Sequence, residues 1–388
     1  MAETREFLMP DYFPSFHCKM GACRHACCDG WPIAFALTDY FKLINAPCSE
    51  ELQKKIERGV KIELHPTPDR YAVVYPGYDG SCPMRLPDGR CALHAELGED
   101  ALAAVCRLYP RGVRHTEGTY SVCCAGSCEG VLELLFTSSE PISFIRRPLT
   151  IEVPAESPSV YSFKTKGHAV DLRLWFIRLM QDRRVSLPAR LLIMKEYLVK
   201  LDAVLNHGTE QDIQAFLANY PESIPEAPDP EREHLISSME LAEKMLTLID
   251  EDSASLHDMG SEVLEYFGSD KHAFDRYRCA AYVFESRFPD HMIRMEHMLV
   301  NHMFFSCFPF QDRPESPAQE YVSLCVVYSL LRFLCIGHAA MHSEENDLTD
   351  ACAAALRLIE HTDFDAEAAR LLRDSGCKEE DVDALILL

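Results

Sequence analysis

Eleven of the 17 cysteines in this 388-residue chain lie before residue 130, and their spacing is the first feature that could do chemistry. The order is Cys18-x4-Cys23-x3-Cys27-Cys28, then Cys82-Pro83, Cys91, Cys106 in "CRLYPR", and Cys123, Cys124 and Cys128 in "CCAGSC". Thiolates are the soft donors that zinc and iron–sulfur clusters take. A zinc ribbon pairs two C-x2-C knuckles, and this chain has no C-x2-C. The radical-enzyme signature C-x3-C-x2-C is also absent, because Cys23-x3-Cys27 runs directly into Cys28. Plant-type ferredoxin spacing, C-x4-C-x2-C, is met only in its first interval, Cys18 to Cys23. Adjacent side chains point apart, so Cys27 and Cys28 do not suit one ion together. Either one is a ligand and the other packs, or each serves a different site. The pattern points to a metal or cluster and leaves zinc and iron–sulfur both open. Cys48, Cys279, Cys307, Cys325, Cys335, Cys352 and Cys377 stand alone or on apparent helices and read as small apolar packing groups.

Composition narrows the classes. Apolar residues make up 47% of the chain and aromatic ones 10%, enough for a core that needs no crosslinks. A net charge of -23 argues against a nucleic-acid binder. The opening "MAETREFLMPDYF" has no cationic stretch followed by an apolar run, so no secretory signal is expected. "LCVVYSLL" (324–331) is too short to span a bilayer, and no membrane partner is expected. The expected location is the cytoplasm, where thiols stay reduced and a dense cysteine group means metal or catalysis rather than disulfides.

These thiols need elements to carry them. Residues 1–136 are rich in Cys, Gly and Pro, with turn signals in "PGYDGSCP" and "LPDGRC". They read as an irregular domain of short helices and strands, with Asp88-Gly89 as a hairpin turn. Residues 137–165 read as an extended connection. From 166 to 388 the pattern is helical. "VDLRLWFIRLMQDRR" has helical spacing. The next helix opens with Ser186 as N-cap and Pro188 in its first turn, and stops at Gly208. Thr209 to Asp212 has capping-box spacing. Further helices are expected near Glu233–Ile249, Lys271–Arg287, Asp290–Ser306, Ala318–Met341, Leu348–His361 and Ala366–Asp374. The fold class is therefore α+β, mostly α. Residues 341–388 carry 13 acids against 4 Lys and Arg, a solvated face or a steering field for a lysine-bearing substrate.

Several ordered motifs together resemble the flagellin lysine-N-methylase family: "MPDYFPSFHC", "ACRHACCDGWPI", "CPMRLPDGRCALHAELGEDAL", "CRLYPR" and the later "MEHMLVNHMFFSCFPF". The cysteine-rich part, residues 9–136, resembles the small metal-chelating YkgJ-like domains. The resemblance implies methyl transfer from S-adenosylmethionine to flagellin lysines, with flagellin as the protein partner. It also implies a [4Fe-4S] cluster, with zinc as the alternative. Carried over by position, the ligands it implies are Cys18, Cys23, Cys27, Cys28, Cys82, Cys91, Cys106 and Cys128. Glu129 stands where the family has a proline, and Cys123-Cys124 are additional thiols.

Amine methylation is a polar displacement whose rate owes much to alignment. No G-x-G-x-x-G follows a strand, so the ordinary nucleotide loop is missing. The cluster domain is expected to build the cofactor site itself. Two versions are open: an iron lacking one cysteine that chelates the methionine moiety, or a purely structural staple. Beside the thiols, Trp31 could stack the sulfonium or adenine, Tyr109 could bind the lysine amine, and Arg111 could pair with the cofactor carboxylate. Glu296, Asn301 and His302 lie in the last family-like segment. There residues 294, 297, 298, 301 and 302 share a helical face, so Asn301 could reach a cofactor pocket. Two other classes compete: a non-catalytic metal- or cluster-carrying module, and a cluster-dependent oxidoreductase.

Overall fold

The computed structural model describes residues 3–24, 27–28, 31–78, 80–151, 153, 161–249 and 254–388. Asp29 and Gly30, expected to turn the chain away from the metal, lie outside them.

The strands are β1 (Glu3–Pro10), β2 (Ile33–Phe35), β3 (Val60–Ile62), β4 (Ala72–Val74), β5 (Arg111–Thr116), β6 (Thr119–Cys124) and β7 (Phe144–Ile151). They form a three-stranded sheet of order β2-β4-β3 and a four-stranded sheet of order β5-β6-β1-β7. β1 runs parallel to β6, with Phe7 opposite Tyr120, and antiparallel to β7 along its whole length. Within the segment expected as a connection, residues 144–151 are thus the edge strand of the larger sheet.

Five helices accompany the strands of the cysteine-rich part: α1 (Leu37–Asn45), α2 (Glu50–Gly59), α3 (Ala92–Leu97), α4 (Ala104–Leu108) and α5 (Glu129–Thr137). The rest of the described chain is helical. It comprises α6 (Ser162–Thr165), α7 (Ala169–Met180), α8 (Leu187–His207), α9 (Glu210–Ala218), α10 (Arg232–Thr247), α11 (Ala254–Phe267) and α12 (Ala273–Arg287). Then follow α13 (His291–Phe305), α14 (Pro317–Met341), α15 (Glu345–His361), α16 (Phe364–Asp374) and α17 (Glu379–Leu387). The class is α+β and mostly helical, as the sequence indicates. Ser186 caps α8 by accepting from the Ala189 amide, and Thr209 and Asp212 form the capping box of α9. Both satisfy amides that the first turn of a helix leaves without partners.

Two cores result. The smaller gathers Ile33, Phe35, Leu43, Leu52, Ile56 and Val74 with Met84 and Leu93, so the cysteine-rich part has an apolar core of its own. The larger joins the inner face of the four-stranded sheet to the helices. Its axis is α14, which is long and apolar enough to cross a membrane by composition, yet has 83% of that apolar window buried among other helices. Helix α13 lies between this bundle and the sheet, and its polar residues are also buried: Glu296, His297, Asn301 and His302. Glu296 accepts from Arg183 at 2.8 Å and Arg190 at 2.5 Å, and His297 Nδ1 lies 2.7 Å from the Leu135 carbonyl oxygen.

Removing one partner of a buried ion pair leaves the other charge uncompensated. Glu296→Ala is therefore expected to destabilise the fold by about 3–5 kcal/mol, read as a lower urea midpoint with an unchanged slope.

Candidate functional site

The thiols fall into two sets. Cys28, Cys82, Cys91 and Cys106 all border the smaller core. Cys91 is the residue before α3, Cys106 lies within α4, and the Cys82 carbonyl accepts from the Arg85 amide in a tight turn. Burial pushes the Cys106 thiol up to about 12, and the neighbouring Cys91, Cys28 and Cys82 add to it. Cys91 is likewise raised, by burial first and by Cys82 among its neighbours. The second set lies on the sheet side. Cys128, the residue before α5, is pushed up to about 11, by burial first and then by Cys23 and Cys18, against the pull of two backbone amides. Burial also raises Cys23, with Glu129 and Cys18 behind it. Cys27 is near enough to Tyr109 to act on it together with Cys128. The adjacent pair thus diverges: Cys28 joins the first set, while Cys27 faces the tyrosine beside the second. Thiols that resist ionising together in this way give up their protons readily to a bound cation.

Cys123 and Cys124 belong to neither set. Both are buried in the larger core. Cys123 Sγ lies 3.4 Å from the Tyr12 hydroxyl and 3.2 Å from Asn301 Oδ1, and burial pushes its thiol up to about 12.

Backbone contact locks the sets together. Gly21 (φ +99°) and Gly89 (φ +86°) adopt left-handed conformations and press against each other. A Cβ on Gly21 would lie 2.6 Å from the Arg90 amide nitrogen, and one on Gly89 would run into the Gly21 carbonyl oxygen. The Asp88-Gly89 turn, expected from sequence, closes with Gly89 N–H donating to the Leu86 carbonyl at 2.9 Å. Glu129 fastens the Cys18–Cys23 loop from the other side. Its carboxylate accepts from Lys19 Nζ at 2.7 Å and from the Arg24 amide at 3.0 Å. A proline here, as the family resemblance implies, would have no carboxylate to hold the loop.

Above the thiols lies an aromatic recess. The Trp31 ring stands 6.5 Å from Tyr109 and 5.5 Å from His361, which is itself 5.9 Å from Tyr109. Trp31 Nε1 donates to the Cys27 carbonyl at 2.9 Å, which fixes its indole over that loop. A polar chain runs beneath: Tyr109 hydroxyl to Ser127 Oγ at 3.1 Å, and Ser127 Oγ to His361 Nε2 at 2.9 Å. The Ser127 amide donates to Glu360 Oε2 at 3.2 Å. The other Glu360 oxygen lies 3.9 Å from His302 Nδ1; both atoms are buried, and neither has a hydrogen-bond partner among the described residues. Burial holds the Tyr109 phenol well above its ordinary value and His361 below its own, the latter against the pull of Glu360.

Of the residues singled out in the sequence, Trp31 and Tyr109 meet in this recess. Arg111 starts β5 opposite Cys124, with its guanidinium 5.4 Å from the Phe16 ring. Among the described residues no carboxylate pairs with it, and its charge acts on the Cys124 thiol, against the burial that raises it. Asn301 lies underneath rather than in the recess. Its amide nitrogen donates to the Cys124 carbonyl at 3.0 Å, and its oxygen accepts from both Tyr12 and Cys123, so these contacts tie its side chain to the sheet end. Ser127, Glu360 and His361 were not anticipated. Glu360 and His361 end an acidic helix more than 230 residues from Ser127, and nothing in their local pattern separates them from a solvated face.

The fold and site define a helical protein whose cysteine-rich face carries two thiol sets under an aromatic recess. Residues 173–386 match the FliB lysine N-methylase C-terminal domain. That match takes in more than half of the chain, and the chain belongs to the FliB lysine N-methylase family. Membership assigns it a methyltransferase role on lysine. The matched segment carries α8 to α16 whole but none of the thiol sets, so the likeness of the cysteine-rich part to YkgJ-like domains rests on its motifs alone. No curated protein and no solved structure matches the chain.

Gly89→Ala is expected to force the two turns apart and to destabilise the fold by about 1–3 kcal/mol, the cost of a side chain at a strained backbone position, read as a lower urea midpoint.

Proposed function

We propose that this protein transfers the methyl group of S-adenosylmethionine to surface lysines of flagellin, beside a thiolate-held iron–sulfur centre. The observation that carries this reading is the recess of Trp31, Tyr109 and His361 next to the thiols, in a chain of the lysine N-methylase family.

The donor sets suit such a centre. Cys28, Cys82, Cys91 and Cys106 offer four thiolates; Cys18, Cys23 and Cys128 offer three, with Cys27 beside Tyr109. Thiolates are the soft donors that iron–sulfur clusters take, with zinc as the alternative occupant. When bound, the centre orders the loops and, at a three-thiolate set, offers an iron to the amino and carboxylate groups of the cofactor.

The chain's own residues do the rest. A lysine ammonium must lose its proton before its lone pair can form the N–C bond, while the S–C bond breaks and S-adenosylhomocysteine leaves. His361, kept neutral by burial, can accept that proton and share it along Ser127 and Tyr109. The ring faces of Trp31 and Tyr109 attract a cation, either the sulfonium or the incoming ammonium. Arg111, which pairs with no carboxylate among the described residues, is the guanidinium proposed to meet the cofactor carboxylate.

Anaerobic incubation of the iron-loaded protein with flagellin and S-adenosylmethionine is expected to raise the mass of flagellin in steps of one methyl group. Unchanged flagellin would leave a partner-binding module instead. Trp31→Ala is expected to raise the KM for S-adenosylmethionine by roughly 5–30-fold, the loss of one cation–π contact, with a smaller effect on kcat.

A further inference from the structure

Far from the thiols, the C-terminal end of α14 brings together two imidazoles and a carboxylate. His338 lies in the last turn of α14, His342 follows that helix four residues on, and Glu262 projects from α11. One donor atom from each lies within 4.8 Å of the other two. His342 Nε2 lies 3.3 Å from Glu262 Oε2, and the two histidine rings stand 4.0 Å apart. His338 is only 6% exposed, yet its Nδ1 is buried without a hydrogen-bond partner among the described residues. A buried, orphaned imidazole nitrogen costs about 1–3 kcal/mol and calls for an explanation.

The backbone here is braced. The His342 amide donates to the His338 carbonyl at 2.9 Å, and Arg287 Nη1 donates to the carbonyls of Ala339 and His342 at 3.3 and 2.5 Å. The two histidines are therefore held one turn apart on a common side of the helix end. Glu262 and His342 are half exposed, which leaves an open approach from solvent. The C-terminal end of a helix carries partial negative charge, which favours a cation. Asp347 and Asp350 lie near enough to act on His338, adding to the field.

We propose that Glu262, His338 and His342 form a binding site for one divalent transition-metal ion of the zinc class. Two neutral imidazoles and one carboxylate are the donors such ions take, whereas calcium and magnesium prefer oxygen alone. Three protein ligands leave at least one position for water, so the ion exchanges with solvent. Bound there, it clasps α11 to the turn between α14 and α15. Since α15 ends in Glu360 and His361, the ion tightens the far end of the helix that carries the recess. The proposal does not depend on the methyl-transfer reading.

Cobalt(II) separates this site from the thiols, because only thiolate sites give sulfur-to-cobalt charge-transfer bands in the near ultraviolet. The test titrates Co²⁺ and Zn²⁺ into the full chain whose thiols already hold iron, comparing wild type with Glu262→Gln and His342→Ala. Both substitutions fall at partly exposed positions, so folding is retained. Wild type is expected to bind one further equivalent with weak d–d bands and no thiolate charge transfer. Zinc at a hundredfold excess over its dissociation constant should raise its Tm by roughly 3–6 °C. Both effects should be lost in either variant while iron content stays the same. Wild type and variants that bind equal equivalents, or a wild type that binds none, would overturn the proposal.

Discussion

A buried polar atom without a partner costs about 1–3 kcal/mol, and on α13 that requirement decides where the neighbouring elements sit. Glu296 demands Arg183 and Arg190, which fixes the turn between α7 and α8. His297 meets the last turn of α5 through the Leu135 carbonyl. Asn301 holds the end of β6 at the Cys124 carbonyl and takes the Tyr12 hydroxyl. His302 is the exception: it faces Glu360 at the end of α15 from 3.9 Å, beyond hydrogen-bond reach. One helix therefore registers the bundle, the sheet and the acidic helix against each other. Ser127 and Cys128, which follow β6 and precede α5, inherit their positions from these contacts.

The same registration explains why the recess forms at a seam. Trp31 comes from the loop after the thiol pair, Tyr109 from the end of α4, and His361 from the end of α15. None of these segments would hold an aromatic ring steady alone. Ser127 joins two of them through hydrogen bonds, and its amide engages Glu360, the neighbour of His361 on α15. Rings placed by rigid neighbours lose little freedom on meeting a ligand, which is the condition for aligning a displacement.

Local features of this arrangement were legible in the sequence. Ser186, Thr209 with Asp212, and Gly208 mark helix ends because capping chemistry acts within four residues. The Asp88-Gly89 turn and the concentration of thiols were equally visible. What escaped depends on long-range pairing. β1 pairs with residues 119–124 and 144–151, which no local pattern announces, so the first segment reads as irregular. The smaller core is built from three-residue strands, too short for alternation to register. The partition of the thiols depends on which core each loop borders, and spacing alone says only that Cys27 and Cys28 differ. Asn301 illustrates the converse. Its helical face was predictable, but the Cys124 carbonyl that takes its amide was not.

The order of the larger sheet has a bearing on how the protein is made. β1 leaves the ribosome first, yet both of its neighbours are synthesised more than a hundred residues later. In the interval the chain produces the smaller core and its four bordering thiols as a closed excursion between β1 and β5. Loop closure on this scale is slow compared with local collapse. A nascent chain thus passes through a stage in which the first thiol set is assembled while the second is still waiting for Cys128. The topology of a single strand thus staggers the assembly of the two thiol sets in time, and α15, which closes the recess, is synthesised after both.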